Sequence, residues 1–114
     1  PRPRIPSRKG WLMVHGRSAG AIIVDDGARR ALLRADGSSL LPSGIVEATG
    51  AFQVGDLVTV RDASGLDIAR GLVNYSRAET DLIKGHHSSE IAELLGHEGA
   101  DEVIHRDDLV LLHD

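Results

Sequence analysis

The sequence predicts an α+β domain whose sheet is mixed or antiparallel. Three observations carry that expectation. Short β-branched runs such as Ala21-Ile22-Ile23-Val24 and Leu57-Val58-Thr59-Val60 are interrupted by short helical stretches. No βαβ crossover repeats along the chain, so nothing connects an all-parallel sheet. The 114 residues make one domain. In a domain this small such a sheet curls into a partly closed barrel, which hides its edges.

The elements follow in order. Pro1, Pro3 and Pro6, interspersed with Arg and Ser, read as an extended linker over residues 1–9. Order is expected from Gly10-Trp11-Leu12, which places the domain at residues 10–114. Ala21-Ile22-Ile23-Val24 reads as a buried strand. Asp25 then stands at an N-cap, where its carboxylate can accept from free first-turn N–H groups, worth about 1 kcal/mol. From Asp26 to Ala35, residues Ala28, Leu32 and Ala35 share one helical face; Arg29, Arg30 and Arg34 extend the helix, and Gly37 is placed to end it. Pro42 and Gly44 punctuate the connection to a strand at Ile45-Val46-Glu47-Ala48.

Gly55-Asp56 is a turn signal before Leu57-Val58-Thr59-Val60. Asp62-Ala63-Ser64-Gly65 links that strand to one running from Leu66 to Tyr75, as a hairpin with a loop of about four residues. Gly71 inside the second strand signals a bulge or a close backbone approach. Ser76-Arg77-Ala78-Glu79 is a capping box, opening a helix that ends near Lys84-Gly85. Ile91, Leu94 and Leu95 share a face of the next helix, and Gly96 is placed to end it. Val103-Ile104 and Leu109-Val110-Leu111-Leu112 read as the closing strands.

Composition bounds the chemistry. Hydrophobic residues make up 41% of the chain, but Trp11, Phe52 and Tyr75 are the only aromatics, so the core is aliphatic. With no cysteine there is no disulfide framework and no thiolate metal site, which suits a reducing compartment. No signal peptide or membrane span is legible. Pro1 in place of Met reads as the start of a processed product or a cut fragment, the latter fitting a cytoplasmic domain. The net charge of −4 is uneven: residues 1–17 carry +5 and the remainder −9. So acidic a body is repelled by phosphate backbones at long range. The basic amino-terminal stretch can bind an anion or a nucleic acid, though it reads first as a solvated linker.

Four groups are candidates for chemistry. His86-His87, with Glu90 one helical turn beyond His86 and His97 nearby, have zinc-ligand residue types. Ser88-Ser89 place a helix start inside that spacing, so solvated turn histidines are the preferred reading and no metal site is assigned. Asp25-Asp26 and Asp107-Asp108 could hold magnesium or share a proton. A helix cap and a turn account for them instead. Arg29, Arg30 and Arg34 form a basic edge suited to phosphate contacts. No aromatic is interleaved to stack bases, so a solvated helix face competes with a nucleic-acid surface. GxxxxGK[ST], GxGxxG, HExxH and GxSxG are all absent. No catalytic residue is assigned.

Several segments, in order, identify a family. Arg8-Lys9-Gly10-Trp11-Leu12 resembles the basic, Trp-bearing segment that joins the kinase domain to the PUA domain in glutamate 5-kinases. Val24-Asp25-Asp26-Gly27-Ala28 with Ala31-Leu32 is similar to that family's first strand-to-helix passage, and Ser39 to Ile45 to its next loop and strand. Phe52-Gln53-Val54-Gly55-Asp56-Leu57-Val58 resembles a segment shared widely among PUA domains. Ala69 to Ser76, Ser88 to Gly96 and Glu102 to Val110 are similar to the C-terminal PUA domain of bacterial glutamate 5-kinases. His97 and Asp108 depart from that pattern, where an aromatic residue and Asn are common.

The resemblance implies a PUA-like mixed-sheet pseudo-barrel with short flanking helices. It implies a parent enzyme of proline biosynthesis that phosphorylates the glutamate side-chain carboxylate with ATP and magnesium. Those cofactors and the catalytic residues belong to an amino-acid-kinase domain, so none is carried onto this chain. The kinase domain is the expected partner. The expected function is a non-catalytic regulatory or interaction module in the cytoplasm. The alternative is an RNA-binding PUA module, for which the resemblance implies a surface at Arg29, Arg30, Arg34, Ser43 and Gly44. Neither DNA nor a membrane is an expected partner, and no cluster supports a small enzyme in its own right.

Overall fold

A computed structural model describes residues 8–34 and 38–112. Helix α1 (Arg8–His15) comes first. Arg8 and Lys9, read above as linker, are therefore helical, and residues 1–7 lie outside the described residues. An eight-residue helix is unstable alone. Its anchors are the buried Met13 and the Arg70 guanidinium, which donates to the Val14 carbonyl at 2.8 Å and the Gly16 carbonyl at 2.5 Å. A cation on the free carbonyls of a helix end also suits its dipole.

The sheet is mixed. Strand β1 (Gly20–Val24) pairs antiparallel with β2 (Ile45–Gly50) and parallel with β3 (Leu57–Arg61). β3 forms a hairpin with β4 (Asp67–Leu72), and β5 (Leu109–Leu111) runs antiparallel on its far side. The order is β2-β1-β3-β4-β5. No ladder joins β2 to β5 among the described residues. The curl is instead tied by a bridge from Leu40, after helix α2 (Asp26–Leu32), to Ile104, before β5. Alternation along the strands sends Ile22, Val24, Val58 and Val60 inward to meet Leu32, Leu40, Ile68, Phe52 and Ile104.

Helices α3 (Arg77–Ile83) and α4 (Ile91–Leu95) close one side through Ile83 and Ile91. The α3 capping box forms as read: Glu79 N–H donates to Ser76 Oγ at 3.2 Å, and Ser76 N–H donates to Glu79 Oε1 at 2.9 Å. Gly96, at φ +83°, follows α4 and donates its N–H to the Ala92 carbonyl.

Three expectations change. The strand read to Tyr75 stops at Leu72, because Val73 N–H turns to the Asp56 carbonyl and Asn74 N–H to the Val103 carbonyl. Of Val103-Ile104, only Ile104 forms a bridge, to Leu40, and neither lies in a strand. Of the two readings of Gly71, the close approach holds: a Cβ there would lie 2.7 Å from Ile104 Cγ2 and 2.8 Å from the Asp108 carbonyl. The register shift falls between Val60 and Arg61 instead. Helix α2 ends at Leu32 rather than Ala35, since the chain turns at Leu33 and leaves Arg34 beyond the helix; Gly37, expected to end it, lies outside the described residues.

Candidate functional site

A cleft of about 310 Å³ opens between α2 and the turn Pro42–Gly44. Local rules build its first wall. Asp25 caps α2, its Oδ1 accepting from Ala28 N–H at 2.8 Å, which sends Ala28, Ala31 and Leu32 to the cleft side. Tertiary contacts build the second. Leu40 is fixed by its bridge to Ile104, and the Gly44 carbonyl accepts from Asp25 N–H at 3.0 Å. Gly44 permits this closeness, since a Cβ there would lie 2.5 Å from the Ala28 Cβ.

The lining is mainly apolar, with Leu41 left 45% exposed at the mouth. Ser43 and Ser39 add hydroxyls and Asp25 adds a carboxylate. Ser39 Oγ is engaged as acceptor for Arg106 N–H at 2.9 Å. This constellation contains no nucleophile–base pair. It is suited to holding a flat or apolar group against Leu and Ala side chains, with polar contacts at the rim.

The five residues expected at a recognition surface separate. Ser43 and Gly44 line the cleft; Arg29, Arg30 and Arg34 do not. Arg29 turns toward the β3–β4 loop, its Nε 3.3 Å from Asp62 Oδ2. Asp62 is 7% exposed, and its Oδ1 accepts from Ser64 Oγ, Ser64 N–H and Leu66 N–H. The Ser64 hydroxyl foremost, with the backbone N–H groups and Arg29, holds the Asp62 carboxyl below the ordinary carboxylate value, against the opposing effect of burial. Arg30 pairs with Asp26 one turn back at 3.4 Å, both exposed, a contact worth little. Arg34 is exposed beyond the end of α2. The apolar wall of Ala28, Leu32, Leu40 and Leu41 was not singled out from sequence. The signal for it was the helical spacing of Ala28 and Leu32 beside the Leu40-Leu41-Pro42 run.

The other candidates have structural work. His87 Nδ1 accepts from Ser89 N–H at 3.1 Å and so caps the turn Ser88–Glu90. His86 sits outside any helix with Nδ1 3.2 Å from Glu90 Oε1, and His97 Nε2 lies 3.7 Å from Glu79 Oε2. No group of three His, Asp or Glu is placed to hold a metal ion among the described residues. Asp107 and Asp108 belong to the turn Arg106–Asp108, capped by His105. No described helix is long and apolar enough to cross a membrane.

Comparisons with known proteins agree with this architecture. The glutamate 5-kinase of Marinomonas sp. (strain MWYL1) is 51% identical over 109 residues, covering 96% of this chain and 29% of that protein. The glutamate 5-kinase of Caldanaerobacter subterraneus subsp. tengcongensis is 51% identical over 108 residues, covering 95% and 29%. The matched part is the C-terminal region of those kinases, so this chain spans about three-tenths of their length. Among solved structures, a PUA domain from Aeropyrum pernix K1, crystallised with tartrate, superposes with a TM-score of 0.55 at 24% identity. It covers 86% of this chain and 50% of that one, and speaks to the fold alone. The PUA domain family profile matches residues 20–95, from β1 through α4, and the chain belongs to that family.

Proposed function

We propose that this chain is a non-catalytic module of a glutamate 5-kinase, with a regulatory or interaction role beside an amino-acid-kinase domain. The observation that carries the reading is the match of nearly the whole chain to one terminal region of kinases more than three times as long. The site chemistry supports it. The acids near the cleft are used in a cap and an ion pair, and the cleft wall is aliphatic. ATP, magnesium and glutamate would then be handled by the kinase domain, in the cytoplasm, as a step of proline biosynthesis.

The test is glutamate-dependent ATP turnover by the purified 114-residue chain beside the product of the full reading frame. The expected result is turnover by the full frame only. Turnover by the short chain at the full rate would end the proposal.

RNA binding is the second reading, favoured by the open cleft beside α2 with Ser43 and Gly44 on its wall. The charges oppose it. Asp25 stands at the cleft, and Arg29 is engaged by the nearly buried Asp62. Titration of structured RNA at two salt concentrations decides. RNA recognition requires salt-sensitive binding whose slope falls by about one to two units in Arg30→Ala plus Arg34→Ala.

A further inference from the structure

Five of the ten large apolar side chains exposed among the described residues belong to helix α1 and the end of β5. Trp11 is 54% exposed, and Leu12 and Val14 on the same helix are exposed with it. Leu111 of β5 and Leu112 just after it are exposed as well. Helix α1 lies against β4 and β5, so the five residues belong to neighbouring elements. Only Met13 of the described α1 side chains is buried. The Trp11 and His15 rings stand one turn apart with centroids at 4.9 Å, forming the outward face of the helix. Single exposed apolar residues are ordinary, but a tryptophan flanked by aliphatic neighbours on two elements marks a face that something covers.

We propose that this corner, α1 with the exposed end of β5, is the surface on which the kinase domain of the same polypeptide docks. The proposal rests on the reading above, that this chain is one module of a longer glutamate 5-kinase. Chain connectivity selects that occupant over a second copy of the chain. Helix α1 begins seven residues from Pro1, so a domain joined there is tethered within about 25 Å of the patch. Such tethering raises the effective concentration to about the millimolar range, which lets a small apolar face suffice. A second copy carries no such tether and would have to bind from bulk solution. The contact also explains how so short a helix persists: its outer face would be packed as well as its inner one.

Hydroxyl-radical footprinting, read residue by residue by mass spectrometry, tests this on the full-frame protein and on the 114-residue chain. Trp11, Leu12 and Leu111 should label at least fivefold more slowly in the full-frame protein. Val54 and Leu82, exposed elsewhere, should label equally in both. In the full-frame protein, Trp11→Ser plus Leu12→Ser should restore fast labelling of Val14 and Leu111 while Phe52 and Tyr75 stay protected, which shows that the fold survives. A kinase domain that is present and active while Trp11 labels at the short chain's rate overturns the docking alone. Protection that also occurs in the short chain and disappears on dilution assigns the face to a second copy and overturns it too. A reading frame with no kinase domain overturns the proposed function itself.

Discussion

Replacing Tyr75 with phenylalanine removes one oxygen from the most consequential aromatic position of the fold. Tyr75 is 3% exposed, and its hydroxyl donates to the Ala100 carbonyl, tying the loop after α4 to the segment before α3. At neutral pH, loss of that bond should cost about 1 kcal/mol. With an m-value of about 2 kcal/mol/M, the urea midpoint should fall by about 0.5 M. The second half of the prediction concerns pH. Burial first, then the charges of Glu79, Asp101 and Glu102, raise the Tyr75 phenol above its ordinary value of 10.0. The unfolded phenol therefore releases its proton first as pH rises, and the folded chain binds more protons in that window. The wild-type advantage is complete below the unfolded pKa and is lost as pH climbs through the raised folded value. Urea unfolding followed by far-UV circular dichroism at pH 7 to 11 measures both chains. The two stability curves should converge on the alkaline side. A constant gap across that range would refute the assignment of a buried, proton-retaining phenol.

Gly71→Ala should destabilise by about 1–3 kcal/mol in the same assay, because its Cβ would overlap the Ile104 side chain and the Asp108 carbonyl. Stability within 0.5 kcal/mol, roughly the range of a neutral surface change, would deny the close approach. Thr80 is fully buried on α3, with its hydroxyl lacking a hydrogen-bond partner among the described residues. Thr80→Val should therefore stabilise by about 1 kcal/mol, and a lowered melting temperature would show that the hydroxyl is satisfied. The depressed Asp62 carboxyl contributes stability above its unfolded pKa, lost as pH falls through the lower folded value. Asp62→Asn should be the less stable chain at pH 7, with the difference shrinking below pH 3.8, and parallel acid profiles would contradict the Ser64 and Leu66 contacts.

Much of the fold was legible because its determinants are local. The Asp25 cap reaches three residues ahead, and the Ser76–Glu79 capping box closes within four residues. The mostly buried strands β1 and β3 follow from β-branched apolar stretches. Helix α1 was not legible, since the Arg70 side chain that holds its carboxyl end comes from more than 50 residues away. Which segment approaches Gly71 was hidden for the same reason. Ile104 and Asp108 reach Gly71 only once β5 has folded back on β4.

The division is clearest at the candidate site. Sequence alone determined that α2 would carry Arg29 and Arg30 and that Pro42 and Gly44 would turn the chain after it. Only the tertiary structure decided that Arg29 spends its charge on Asp62 while Leu40, Leu41 and Ala28 become the cleft wall. Charge and helical period are properties of neighbouring residues. Which charges are neutralised, and which apolar faces remain open, depends on partners that meet only when distant segments pack.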